Sequence, residues 1–183
     1  MAKAAIKFTY EDYKNLPESE TQRYELLEGE LVMVPAPSFE HQSISIHLEV
    51  RLYEFVRRRD LGIVLDAPLD VVLSEENVVQ PDILFISKAR RKIIHKEEIR
   101  GAPDLVVEIL SPYTAGRDRT LKKKLYARYG VKEYWLVDPE EKTIEVLKLG
   151  QRGFERFAVY KRPDTLQSPL LAGLQIPLRE VFS

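Results

Sequence analysis

Two carboxylates stand where carboxylates are costly. Asp82 follows Pro81 and precedes Ile83-Leu84-Phe85-Ile86, and Glu108 lies between Leu105-Val106-Val107 and Ile109-Leu110. A carboxylate set into such an apolar, strand-like run needs a hydrogen-bonding, cationic or metal partner, unless its strand lies at an edge and turns it to water. Pro81 favours an edge or a strand end for Asp82, because proline donates no ladder hydrogen bond. On neighbouring strands the two groups would repel each other. One divalent cation between them would remove the repulsion and gain two hard oxygen ligands. Pairing of each with an arginine, or exposure of both from edge strands, is the alternative.

A third group recurs at steps of four: Asp118, Lys122 and Tyr126. This spacing puts them along one face of a helix that follows the Glu108 strand. A lysine there could orient or deprotonate a water, or neutralise developing phosphate charge. The plainer reading is an Asp-Lys surface pair worth a few tenths of a kcal/mol. Tyr126, Tyr134 and Trp135 read as core side chains before they read as base-stacking platforms.

The elements that must position these groups follow from pattern. Thr9 with Glu11 and Asp12 predicts a short capped helix ending before Pro17. Tyr24–Leu27 and Leu31–Val34 predict a hairpin about Gly29. Ser38–Arg59 predicts a long helix with Ile44, Leu48, Leu52, Phe55 and Val56 inward. Gly62–Leu65, Leu69–Leu73 and Val78–Ile86 predict strands, the last carrying Pro81-Asp82 in its middle. A basic loop with a short helix (88–100), a strand at Asp104–Leu110 and a helix at Arg117–Tyr129 capped by Gly130 follow. Glu133–Val137 is then a strand, Thr143–Leu149 and Phe154–Tyr160 a hairpin, and Gly173–Phe182 a short strand with a helical turn. A helix between two strands favours a parallel crossover. The expectation is one α/β domain over residues 1–183, a mixed β-sheet core flanked by helices, with antiparallel hairpins at the N- and C-terminal flanks.

Composition bounds the chemistry. The 183 residues are 44% hydrophobic and 31% charged, an ordinary globular balance. The formal net charge is −1, so any nucleic-acid binding must use a local basic surface. Arg57–Arg59, Lys88–Lys92 and Arg117–Lys124 are candidates, each equally readable as solvated surface. With no cysteine, a thiolate nucleophile and a Cys-ligated zinc are excluded. Met1–Tyr10 lacks the apolar core of a secretory signal, and no run approaches ~18 apolar residues, so a cytoplasmic protein outside the membrane is expected.

Taken together, Gln80-Pro81-Asp82, the run Gly101 to Pro112, Asp118, Lys122, Tyr126, Gly130-Val131 and Glu133 to Pro139 resemble the Uma-type family of restriction-endonuclease-like proteins in the PD-(D/E)XK nuclease superfamily. Tyr24 to Glu30 and His41-Gln42 resemble it too, and the likeness spans about residues 8 to 182. The resemblance implies a restriction-endonuclease-like fold and a metal-dependent endonuclease that hydrolyses phosphodiester bonds in nucleic acid, with DNA the expected partner; a homodimer, built by the tail hairpins or used to cut a duplex, is a separate expectation. It implies Asp82 and Glu108 as catalytic ligands of Mg²⁺ (or Mn²⁺), the carbonyl of Ile109 as a further ligand, and Lys122 as the catalytic lysine. The superfamily's usual lysine position, two residues after Glu108, holds Leu110 instead. Lys123 and Lys124 neighbour Lys122 but point elsewhere around a helix. Glu28 and His41 are accessory candidates; Glu28 could instead decorate a turn, Glu40 or Glu49 could fill its role, and His41 could be structural. The alternative function is a nuclease-fold module that binds nucleic acid or a protein partner without cutting.

Overall fold

The computed structural model describes residues 6–17 and 22–182. Met1–Ala5, part of the stretch read above for a secretory signal, lie outside them, as do residues 18–21 and 183. A capping box between Thr9 and Asp12 starts α1 (Tyr10–Lys14). The hairpin β1 (Arg23–Leu27) and β2 (Glu30–Val34) turns through Glu28 and Gly29, both at positive φ. Ser38 accepts the His41 N–H and opens α2 (Phe39–Arg58). There follow β3 (Gly62–Asp66), β4 (Val71–Ser74), β5 (Asn77–Val79), β6 (Ile83–Ser87), a 3₁₀ turn (Lys88–Ile93), β7 (Ile99–Arg100) and β8 (Leu105–Ile109). The next helix runs α3 (Ala115–Arg117), a π-helical segment (Asp118–Lys122) and α4 (Lys123–Tyr129), closed by Gly130 at φ +87°. Strands β9 (Glu133–Asp138), β10 (Thr143–Gly150), β11 (Gly153–Lys161), β12 (Thr165–Leu166) and β13 (Ile176–Pro177) complete the order, with a last 3₁₀ turn (Leu178–Glu180).

The expected Val78–Ile86 strand is two strands in two sheets. β5 belongs to a five-stranded sheet, β2-β1-β5-β4-β7, and β6 to a six-stranded one, β11-β10-β9-β8-β6-β3. Pro81 has no N–H to continue a ladder. The chain crosses between sheets here, pinned by the Ala67 N–H donating to the Asp82 carbonyl and the Ile109 N–H donating to the Asp82 carboxylate. The predicted crossover is present, with β8 and β9 parallel around the intervening helix.

Strand alternation sorts the six-stranded sheet into two faces. Ile83, Phe85, Leu105, Val107 and Trp135 pack with Ile44, Leu48 and Leu52 of α2 and with the tail residues Leu174 to Phe182. Leu84, Val106, Leu110 and Tyr134 face the other way, against Leu125 and Tyr126 of α4 and Val71 and Val79 of the smaller sheet. Glu108 is in phase with Val106 and Leu110. It must therefore point into the seam between the large sheet, α4 and the small sheet. β6 and β8 pair antiparallel with Ile83 opposite Val107. One step further along that register brings Asp82 opposite Glu108.

Candidate active site

Glu108 is buried, with 4% of its surface exposed, so the edge-strand alternative does not hold for it. Its Oε1 accepts from Lys122 Nζ at 3.0 Å and from the Tyr126 hydroxyl at 2.6 Å. The helix following β8 returns over that strand, and the step-of-four face read from the sequence is the face it presents. Its π-helical stretch ends on Lys122; such widened turns recur at functional sites. The Asp118–Lys122 pair is an internal one, not a surface one. Lys122 is 5% exposed and Asp118 2%, with Nζ 3.7 Å from Asp118 Oδ1.

The shortest ion pair of Lys122 is with Glu25, at 2.8 Å. Glu25 sits in β1, and its Oε1 also accepts the Gln80 backbone N–H at 2.8 Å, tying the hairpin to the crossing segment beside Asp82. Asp82 Oδ2 accepts the Ile109 N–H at 2.7 Å and lies 3.2 Å from Nε2 of His41 in the first turn of α2. The Ile109 carbonyl also faces His41.

Charge bookkeeping defines what this pocket can do. Glu25, Asp82, Glu108 and Asp118 bring four carboxylates; Lys122 brings one fixed positive charge. Burial works against the Lys122 ammonium, but Glu108, Glu25 and Asp118 outweigh it and hold its pKa well above the ordinary lysine value. The acids have no such surplus of partners. Burial first, then repulsion among the carboxylates, pushes Glu108 well above the usual range and Asp118 above it as well, against the pull of Lys122. His41 is disfavoured as a cation by burial, yet Asp82 and the Ile109 carbonyl leave its pKa raised. Around Lys122 and His41 the four carboxylates outnumber the cations that contact them.

No hydrogen bond among the described residues engages Asp82 Oδ1 or Glu108 Oε2. Both residues line a cleft of about 570 Å³ between the Val34–His41 segment and the loop after β8. Hard oxygen donors with surplus negative charge fit a divalent cation of the Mg²⁺ type, which binds through one or two carboxylates and keeps several waters. Among the described residues, no group of three His, Asp or Glu side chains is arranged to enclose a metal.

The family model described as "Putative restriction endonuclease", Uma2, matches residues 10–179. The chain belongs to the Uma2 family. Two uncharacterized Synechocystis proteins are similar to it. The protein slr1290 is 25% identical over 162 residues, covering 88% of this chain and 84% of that one. The protein sll1609 is 24% identical over 131 residues, covering 71% and 74%. A crystal structure described as a putative nuclease from Anabaena variabilis superposes with a TM-score of 0.79 at 25% identity, over 96% of this chain and 97% of that one. The fold is restriction-endonuclease-like, with the mixed sheet core expected from the sequence.

In this Uma2 protein the geometry gathers Asp82, Glu108, Lys122, Ile109 and His41 at one cleft. It leaves Glu28 outside. Glu28 occupies the β1–β2 turn, where its N–H donates to Asn77 and its carboxylate faces Arg128 at 3.7 Å. Its direction follows from the turn: the chain reverses there, and the side chain is carried to the surface. The N-terminal glutamate at the site is Glu25, three residues earlier. The signal for it was alternation, since Glu25 shares a strand face with Leu27, a buried residue. Glu40 lines the cleft from the first turn of α2, whereas Glu49 lies further along the helix and away from it.

Of the three basic runs, Arg57–Arg59 ends α2, roughly 25 Å along the helix from His41, and Lys88 and Arg90 are committed to Asp60 and Asp104. Only the third run reaches the cleft, through Arg117 and Lys122.

Proposed function

We propose that this chain is a metal-dependent endonuclease that hydrolyses phosphodiester bonds in DNA, with Asp82 and Glu108 holding Mg²⁺. The observation that carries the reading is the surplus of buried carboxylate around Lys122, with Asp82 and Glu108 both lining an open cleft and one oxygen of each without a hydrogen bond among the described residues. Membership of Uma2 and the likeness to a crystal structure described as a putative nuclease support it.

A bound Mg²⁺ would polarise the scissile phosphate and lower the pKa of a water beside it. Asp82 is held for this role by the Ile109 N–H and by His41, which engage Oδ2 and leave Oδ1 without a hydrogen bond among the described residues. Lys122, gripped by Glu25, Glu108 and Asp118, keeps a cation at the cleft floor, where negative charge grows on the phosphoryl oxygens in the transition state. Its carboxylate partners keep it protonated, so it serves as an electrostatic stabiliser rather than as a base. Water oxygen bonds to phosphorus, the bond to the leaving oxygen breaks, and that oxygen takes up a proton.

The test uses circular DNA, supercoiled and single-stranded, incubated with Mg²⁺ and with EDTA. Wild type should open at least one of the two circles only with Mg²⁺, and Asp82→Ala should fall to background. Equal cutting by the two proteins would overturn the assignment.

A further inference from the structure

The reacting groups of the cleft are recessed. Glu108, Lys122 and Asp118 expose a twentieth of their surface or less. Above them the rim carries a large aromatic turned fully to solvent: Tyr113, in the loop between β8 and α3, is 81% exposed. This loop is not loose. Ser111 and Thr114 bind each other through their hydroxyls at 3.1 Å, each backbone N–H donates to the other's hydroxyl, and the Ala115 N–H donates to the Ser111 carbonyl. The turn therefore fixes the backbone that carries exposed Tyr113 at the cleft rim.

Two cations line the same opening. Arg23 begins β1, and alternation places it on the face of Glu25, nearer the mouth. Arg117 ends α3, one residue before Asp118. Neither has an ion-pair partner among the described residues. Three neighbouring arginines do: Arg119 with Asp138 and Glu145, Arg128 with Glu28, and Arg156 with Glu145. Cations left unpaired at a cleft beside an outward aromatic combine the two features by which proteins hold single strands: charge along the backbone and a π-face for bases.

We propose that the cleft takes a single-stranded polynucleotide, held by its phosphates at Arg23 and Arg117 and by stacking of a base on Tyr113. The inference rests on the nuclease reading above and deepens it. A single strand can lower one phosphodiester to the recessed floor and turn its bases toward the rim. A duplex keeps its bases paired inward, where Tyr113 finds no face to stack on, and its rigid backbone stays at the mouth.

The test is binding without cutting. A fluorescein-labelled oligodeoxynucleotide, single-stranded or annealed to its complement, is titrated with wild-type protein in EDTA and followed by anisotropy. The single strand should bind about tenfold tighter than the duplex, and Tyr113→Ala should weaken single-strand binding by about tenfold while Tyr113→Trp keeps it. Arg23→Ala and Arg117→Ala should each reduce the salt dependence of log affinity by about 0.7. Tighter binding of the duplex, or single-strand binding indifferent to Tyr113→Ala, overturns this inference and leaves the nuclease reading standing if circular DNA is still opened with Mg²⁺. Binding of neither form, together with no Mg²⁺-dependent opening of circular DNA, overturns both.

Discussion

Two glutamates in adjacent strands of one sheet are both buried, and they serve opposite ends. Glu133, at the start of β9, is fully enclosed. Its Oε1 accepts from the Trp135 indole at 2.6 Å, and its Oε2 accepts from the Ser168 hydroxyl at 3.0 Å and the Leu170 N–H at 2.8 Å. Every partner is a neutral donor, and together they fasten the C-terminal tail to the sheet. Glu108, one strand over in β8, shares its lysine with two further carboxylates, lines the cleft and has one oxygen without a hydrogen bond among the described residues. A buried carboxylate is therefore not in itself a site. What distinguishes the two is whether the surrounding donors exhaust it.

The largest effect separating the regions should come from Lys122. Replacing it with alanine leaves Glu25, Glu108 and Asp118 buried without their cation. Removing one partner of a buried ion pair costs about 3–5 kcal/mol, so urea unfolding should show a loss of that order, with cleavage down by about 10²–10³-fold. A variant as stable as wild type would mean that water, not Lys122, satisfies the acids.

Glutamine substitutions sharpen the contrast. Glu133→Gln must turn an amide NH₂ toward the donors on one side, leaving a donor facing a donor, and should cost about 1–3 kcal/mol. Glu108→Gln keeps an oxygen for Lys122 and Tyr126 and removes one of the mutually repelling charges. It should leave the metal-free protein as stable as wild type or more so, at the expense of cleavage. Thermal unfolding of both in EDTA checks this; the reverse ranking would break the comparison.

A third buried carboxylate sets the pH dependence. Burial works against charged Asp104, but Lys132 at 2.7 Å and the Ser87 N–H prevail, and its pKa lies below the usual value. Its stabilising contribution is therefore present above about pH 3.9 and lost as pH falls through the folded value. Glu133 has the opposite sign. Burial, only partly offset by its three donors, holds its pKa up. Its contribution is present below about pH 4.3 and lost as pH rises through the folded value. Asp104→Asn should accordingly flatten the acid limb of a stability–pH profile, and Glu133→Gln should not. Profiles parallel to wild type for Asp104→Asn would contradict the assignment.

Much of this was legible in the sequence, for reasons that differ by residue. Glu108 stood out because a five-residue apolar strand has no use for a charge, and the step of four brought Lys122 and Tyr126 to it. Asp82 was visible, but not the change of sheet beside it. Val78–Ile86 is continuously apolar apart from Gln80-Pro81-Asp82, and only tertiary pairing reveals that its halves join different ladders. Glu28 looked better than Glu25 because it sits beside a glycine in a motif, whereas Glu25 resembled an ordinary polar position in an alternating strand. Glu133 carried no signal of its role: its partners Ser168 and Leu170 come from a tail more than thirty residues away. β12 is two residues long and has no periodicity to read.

The central claim, that the Glu108 cluster binds a divalent cation to offset its surplus charge and the Glu133 cluster does not, is tested most directly by calorimetric titration of Mn²⁺ into metal-free wild type, Glu108→Gln and Glu133→Gln at temperatures where all three are folded. The account predicts a saturable site in wild type and Glu133→Gln that is lost or weakened at least about tenfold in Glu108→Gln. Mn²⁺ binding to Glu108→Gln as tightly as to wild type would contradict it.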